Sequence, residues 1–246
     1  MIAIELTDMC NHICRWCTLN RRSNILRLDI IKKVAYTLNR REIVFTGGEP
    51  LIHPRFTDIL NIFDGFNIGL ETNGELLSGK FMQIADKCSW VKIPIEYLFV
   101  SDIARVRGCT SERIVRTFTN IKFLRDTIRN RRSPCKIILS IKYHKFNIDE
   151  LIDIIDSWFF LGKIAVAEIS PVRHPRFHCD LPENVRDKLI EKNYYNGFII
   201  KENPGGDIPI LRVPATCKGY EEIQCLLPRS IISQKTTKEP SGSIRA

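Results

Sequence analysis

Short runs of β-branched and aliphatic residues alternate along this chain with longer stretches whose apolar positions recur every three or four residues. The short runs are Ile2–Leu6, Ile43–Phe45, Asn67–Glu71, Trp90–Ile95, Lys136–Ile141 and Lys163–Ile169. Runs of that length and composition predict strands. Between them, Leu26–Leu38 puts Leu28, Ile31, Val34, Ala35 and Leu38 on one helical face. Further helices are expected over Arg55–Phe63, which follows Pro54, and near Gly79–Lys87. A long one should run from Ser111, read as its cap, to about Ile128, and another over Asn147–Phe160.

Strand and helix repeated six times in this way imply a parallel sheet, because parallel neighbours need a crossover long enough to hold a helix. Ile137-Ile138-Leu139 reads as a strand covered on both faces. The pattern fits a closed barrel and an open sheet equally. In both, functional groups gather where strands end at their C-terminal side.

Three segments with chemical potential fall at such ends. After the first strand come Cys10, Cys14 and Cys17, spaced C-x-x-x-C-x-x-C with Trp16 before the last cysteine. Three thiolates on one loop can hold three corners of an iron–sulfur cube and leave the fourth iron open to a small molecule. They can equally form a tetrahedral zinc site if His12 joins them. After the second strand comes Thr46-Gly47-Gly48-Glu49-Pro50-Leu51. Adjacent glycines let backbone approach a ligand closely, and Glu49 offers a carboxylate suited to an ammonium group. Thr72-Asn73-Gly74 follows the third strand.

Together, Cys10-x-x-x-Cys14-x-Trp16-Cys17, Gly47-Gly48-Glu49-Pro50-Leu51-Ile52-His53-Pro54 and Thr72-Asn73-Gly74 resemble the radical S-adenosylmethionine (SAM) superfamily in order and separation. The resemblance covers about residues 2 to 170 and is nearest in style to the molybdenum-cofactor cyclase and peptide-maturase branch. It implies an α/β fold, a partial (β/α)6 TIM-like barrel of parallel strands with a short C-terminal extension. It implies that Cys10, Cys14 and Cys17 ligate a [4Fe-4S] cluster whose open iron chelates the methionine part of SAM. Trp16 would then lie near the adenine, and Gly47, Gly48 and Glu49 would receive the ammonium. Glu96 would touch the ribose, Arg107 would bind the carboxylate bidentately, and Ser140 would meet the cofactor. Where relatives often carry a hydroxyl residue on the fourth strand, this chain has Pro94, so an irregular strand is expected there. The activity implied is reductive cleavage of SAM to a 5′-deoxyadenosyl radical that abstracts hydrogen from a peptide- or nucleotide-type substrate. The alternative is a non-catalytic scaffold holding zinc or an iron–sulfur cluster.

Composition adjusts this picture at the margins. The chain has 246 residues, 44% hydrophobic and 26% charged, which suits a globular protein with a full core. It divides into an expected core domain at 1–175, an extension at 176–232 that covers the barrel or contacts substrate, and a polar, disordered tail at 233–246. No apolar run is long enough to span a bilayer, and the first residues do not read as a signal peptide. Nine cysteines without a secretion signal point to a reducing, cytoplasmic compartment. Cys179, Cys217 and Cys225 lie beyond the core, but their spacing is too loose to specify an auxiliary cluster. His53 reads as the anchor of a turn, and His174 and His178 as residues of a loop rimming the site. The net charge of +9 suits a nucleotide substrate or an acidic, low-potential electron donor such as flavodoxin or ferredoxin. Its densest clusters are Arg21-Arg22 and Arg129–Arg132, and no RNA-binding module accompanies them.

Overall fold

The computed structural model describes residues 1–18, 23–38, 42–159, 165–171, 176, 179–196, 199–200 and 211–213. Its parallel strands are β1 (Ile2–Thr7), β2 (Glu42–Gly47), β3 (Asn67–Glu71), β4 (Cys88–Ile95), β5 (Lys136–Tyr143), β6 (Ala165–Pro171), β7 (Ile199–Ile200) and β8 (Leu211–Val213). The helices are α1 (Leu28–Thr37), α2 (Phe56–Ile62), α3 (Phe81–Lys87), α4 (Val100–Arg107), α5 (Ser111–Arg131), α6 (Leu151–Phe159) and α7 (Glu183–Asn196).

The strand order is β7-β6-β5-β4-β3-β2-β1-β8. The first six strands therefore neighbour one another in strict chain order. A doubly wound sheet reverses direction at a switch point; this one never does, which is barrel-type winding with its helices on one side. Side-chain alternation agrees. Ile4, Phe45, Leu70, Val91, Ile93 and Leu139 join α1, α2, α3, α5 and α6 in one core. The alternate positions Glu5, Thr46, Glu71 and Lys92 are half-buried and polar, and they form the inner face. There Thr46 donates to Glu71 at 3.2 Å and Lys92 pairs with Glu71 at 3.3 Å. Ile137-Ile138-Leu139 is thus covered by helices on one face only, since Ile138 is half-exposed on the inner alternation.

Several boundaries differ from expectation for local reasons. Leu26 is extended rather than helical, because its amide donates to Leu6 O at 2.9 Å and Ile25 bridges to Thr7. Thr110, not Ser111, holds the N-cap position of α5, and Ser111 is its first helical residue. Asn147 precedes α6 because its side chain is engaged by Glu96 O, Lys142 O and the amide of His144. Strand β4 stays in register at Pro94, which pairs with Ser140. The β3–β4 ladder has already ended at Glu71–Lys92, so the missing proline amide leaves no gap there. Helices α4 and α7 and strands β7 and β8 were not anticipated. The two terminal strands of the sheet follow α7 in the chain, β7 lying beside β6 and β8 beside β1.

Candidate active site

The cysteine loop leaves the end of β1 and is gripped from two sides. On one side the end of β2 lies against it: the amides of Gly48 and Glu49 donate to Thr7 O and Met9 O, both at 2.8 Å. A Cβ on Gly47 would sit 2.2 Å from Thr7 O, and one on Gly48 2.1 Å from Met9 O. The double glycine is therefore required by backbone meeting backbone, before any ligand is considered. On the other side stands the C-terminus of α4. Ile13 donates to Arg107 O at 2.8 Å and Arg15 to Val106 O at 2.9 Å. Gly108, with φ of 60°, ends α4 where a Cβ would lie 2.8 Å from Ile13 O.

Cys10, Cys14 and Cys17 are free thiols, each half-buried on this pinned loop. Burial, and after it the charge of Glu96, pushes the Cys14 thiol up to about 12; Arg107 opposes, and Cys10 and Cys17 raise it further. The three sulfurs thus feel one another. A thiol so disposed ionises only as metal binds, releasing its proton. Soft thiol donors on a fixed loop fit an iron–sulfur cluster. Among the described residues, no three Cys, His, Asp or Glu side chains gather as one metal ion would require, whereas a cube takes each thiolate on a different iron.

His12, fully buried, meets Glu75 Oε2 through Nε2 at 2.9 Å, while its Nδ1 has no hydrogen-bond partner among the described residues. Burial and then Arg107 push its ring down to about 4, against the pull of Glu75, so it is neutral at neutral pH.

Glu49 is completely buried. Its Oε1 accepts from Thr72 Oγ1 at 2.7 Å and Leu51 N at 3.1 Å, and its Oε2 from Asn73 N at 2.7 Å. Burial raises its carboxyl to about 7, with the donors from Asn73, Thr72 and Leu51, and then Arg107, pulling the other way. Asn73 carries the connection onward, donating to Asn11 Oδ1 at 2.7 Å. The three sequence segments thus meet in one hydrogen-bonded junction. His53 anchors the adjoining turn, bonding Leu26 O at 2.9 Å and accepting from Arg55 N at 3.1 Å.

The other expected residues sit close by, engaged in different ways. Glu96 and Arg107 are both buried and paired at 3.0 Å. Arg107 also donates to Pro94 O and to Asn73 O. Its fork is thus already occupied, and binding a carboxylate would mean releasing one of these acceptors. Ser140 Oγ is buried and has no partner among the described residues. Trp16 lies with its ring 5.2 Å from that of His144, which also meets Tyr97 at 5.4 Å. His144, Glu75 and Arg113 were missed by sequence reasoning. Arg113 and Glu75 pair at 2.6 Å across 38 residues, and no local pattern announces such a pair. Burial alone would lift the Glu75 carboxyl, but bonds from Arg113 and His12 outweigh it and hold it below its ordinary value. Among the expected residues, Arg21-Arg22, His174, His178, Cys217 and Cys225 lie outside the described residues, and Cys179 is a half-buried free thiol. Among the described residues, no helix is long and apolar enough to cross a membrane.

Comparison with known proteins places this geometry. The family described as "Radical SAM superfamily" matches residues 4–157. An S-adenosylmethionine-dependent nucleotide dehydratase of Selenomonas ruminantium is 24% identical over 208 residues, 80% of this chain and 74% of that protein. A GTP 3',8-cyclase of Acidothermus cellulolyticus is 35% identical over 94 residues, which cover 31% of this chain and only 26% of the cyclase. Streptococcus suis SuiB bound to its precursor peptide SuiA superposes with a TM-score of 0.65 at 14% identity, covering 81% of this chain and 48% of SuiB. A likeness at that identity shows a shared fold, the partial TIM barrel.

Proposed function

The chain belongs to the radical SAM superfamily, and on that premise we propose that it cleaves SAM reductively and acts on a nucleotide-type substrate. Cys10, Cys14 and Cys17 would hold a [4Fe-4S] cluster. When bound, the reduced cluster supplies one electron to the SAM sulfonium, giving methionine and a 5′-deoxyadenosyl radical that takes a hydrogen atom from the substrate. The chain's own residues bind and orient. Glu49 offers its carboxylate to the SAM ammonium, Trp16 a flat ring to the adenine, and Ser140 a hydroxyl with spare hydrogen-bonding capacity. Glu96 and Arg107 would exchange part of their mutual pairing for the ribose and the carboxylate. A low-potential donor such as flavodoxin or ferredoxin would supply the electron.

One observation carries the cofactor reading: the cysteine loop, Gly47-Gly48-Glu49 and Thr72-Asn73-Gly74 close into a single junction through Met9 O, Glu49, Asn73 and Asn11. The substrate reading is supported by likeness to the nucleotide dehydratase over 80% of the chain. Lys92, paired with Glu71, and Lys142 lie on the inner alternation of β4 and β5, where an anionic substrate would meet basic side chains.

The test is anaerobic reconstitution with iron and sulfide, followed by SAM, a chemical reductant, and nucleoside triphosphates or peptides in parallel. Visible iron–sulfur absorbance with 5′-deoxyadenosine formation is expected, stimulated by a nucleotide. A colourless, zinc-loaded protein would return the scaffold reading; stimulation by peptides alone would replace the substrate class.

A further inference from the structure

The junction so far described fixes the cysteine loop at its start, through Met9, and at its middle, through Ile13 and Arg15. Between those points, Asn11 and His12 lie in the three-residue gap that separates Cys10 from Cys14. Their geometry decides how Cys10 is presented. Both are held by one buried carboxylate.

Glu75 is 4% exposed, and its oxygens are crowded with donors. Asn11 Nδ2 reaches Oε2 at 2.7 Å and His12 Nε2 reaches it at 2.9 Å. Arg113 grips the carboxylate with Nε at 2.9 and 3.0 Å and with Nη2 at 2.6 Å. The same Nη2 continues to Asn11 O at 2.8 Å, so guanidinium and carboxylate clasp the loop by backbone and side chain together. Arg116 stands 3.5 Å away on the same helix.

Glu75 is itself anchored. Asn120 of α5 donates to Gly74 O at 3.1 Å and to Glu75 O at 2.8 Å. Gly74 adopts φ of 84°, and a Cβ there would lie 3.0 Å from Thr117 Cγ2. The chain thus runs from α5 through Glu75 to the stretch between the first two cysteines without a flexible link.

We infer that Glu75 is a positioning residue for the cluster. With Arg113 it fixes Asn11 and His12, and so the placement of Cys10 relative to Cys14, while contributing the negative charge nearest that stretch of the loop. The inference rests on the cluster reading above. It assigns Glu75 no ligand role: its oxygens are filled by protein donors.

Two consequences separate this role from plain structural support. Removing the charge should favour the more negative, reduced cluster, so the midpoint potential should move positive. Loosening the loop should speed loss of iron, since residues that orient metal ligands typically hold about ten- to a hundredfold in metal affinity.

The experiment compares anaerobically reconstituted wild type, Glu75→Gln and Arg113→Lys. It measures midpoint potential by redox titration, iron loss to a chelator, and melting of the apo chain. Glu75→Gln should bind a full cluster but lose it about tenfold faster, at a more positive potential. Arg113→Lys keeps the charge and loses the fork; it should lose iron faster with a smaller shift in potential. If Glu75→Gln does not fold, Arg113→Lys carries the test through its iron loss. Variants that melt lower yet match wild type in potential and iron loss would overturn the inference alone. A wild type that forms no cluster would overturn the cluster reading, and this one with it.

Discussion

Glu49 and Glu75 are both buried carboxylates at this junction, the first gripping the segment that follows β3 and the second belonging to that segment and gripping the cysteine loop, yet their surroundings differ in kind. Glu49 receives only neutral donors: a threonine hydroxyl and two backbone amides. Glu75 receives the fork of Arg113, with Arg116 beside it, as well as Asn11 and His12. The first carboxyl is lifted to about 7, chiefly by burial. The second, despite burial, is held below its ordinary value by Arg113 and His12. A buried carboxylate with neutral partners has an uncompensated charge that a cation can complete, whereas one already clasped by guanidinium does not. This contrast is what recommends Glu49 for an ammonium group and Glu75 for holding the loop.

The largest effect comes from removing what both carboxylates serve. Cys14→Ala should leave two thiolates where three are needed and abolish the cluster, while circular dichroism shows the barrel intact. A full cluster with SAM cleavage in that variant would mean another cysteine is the ligand.

Next comes the charge of Glu49. Glu49→Gln keeps its size and most of its hydrogen bonds but removes the charge. Hydrogen bonds to charged groups contribute about 1.5–3 kcal/mol, so SAM affinity should fall by roughly ten- to a hundredfold. The cluster spectrum should stay as in wild type, and 5′-deoxyadenosine formation should drop. Lost iron with unchanged SAM affinity would mark Glu49 as structural and erase the contrast with Glu75.

The same site predicts a pH dependence. Burial makes the folded carboxyl hold its proton up to about pH 7, above its ordinary value of 4.5. An ammonium selects the ionised form. SAM affinity should therefore be highest above about 7 and fall as pH drops below it, towards the roughly ten- to hundredfold loss expected of Glu49→Gln. Isothermal titration of the reconstituted protein, restricted to pH values where the cluster spectrum is constant, would read this. Glu49→Gln should be flat over the same range; a parallel fall in both proteins would place the titrating group elsewhere.

The sequence revealed one kind of interaction better than the other. The cysteines and Gly47-Gly48-Glu49 are local patterns, and their spacing is their chemistry, so they could be read directly. Strand positions were legible because period and composition agree along each strand. Helix α4 was not legible: it is short and rich in polar residues, with Ser101, Asp102, Arg105 and Arg107 among its eight. Arg107 reads from the sequence as a fork for the SAM carboxylate, and the fold also turns it inward to pair with Glu96. Glu75 and Arg113 belong to different elements, and only the path of α5 across the end of β3 brings them together. The double glycine has a further reason that no local pattern shows, since a Cβ at either position would meet Thr7 O or Met9 O.

The smallest expected effect concerns Ser140, which resembles Glu49 in having capacity to spare. Its hydroxyl is 1% exposed and unpartnered among the described residues. An unsatisfied buried polar group costs about 1–3 kcal/mol, and native structures rarely carry one without a reason. If the hydroxyl waits for the cofactor, Ser140→Ala should melt no lower than wild type in the apo state, because the lost group was unpaired. SAM affinity should then fall by about threefold to tenfold, the scale of one neutral hydrogen bond. Apo melting and SAM titration of the same preparation separate the outcomes. A variant destabilised by more than about 1 kcal/mol, with SAM affinity intact, would show that Ser140 packs the barrel and that Glu49 alone has room for a ligand.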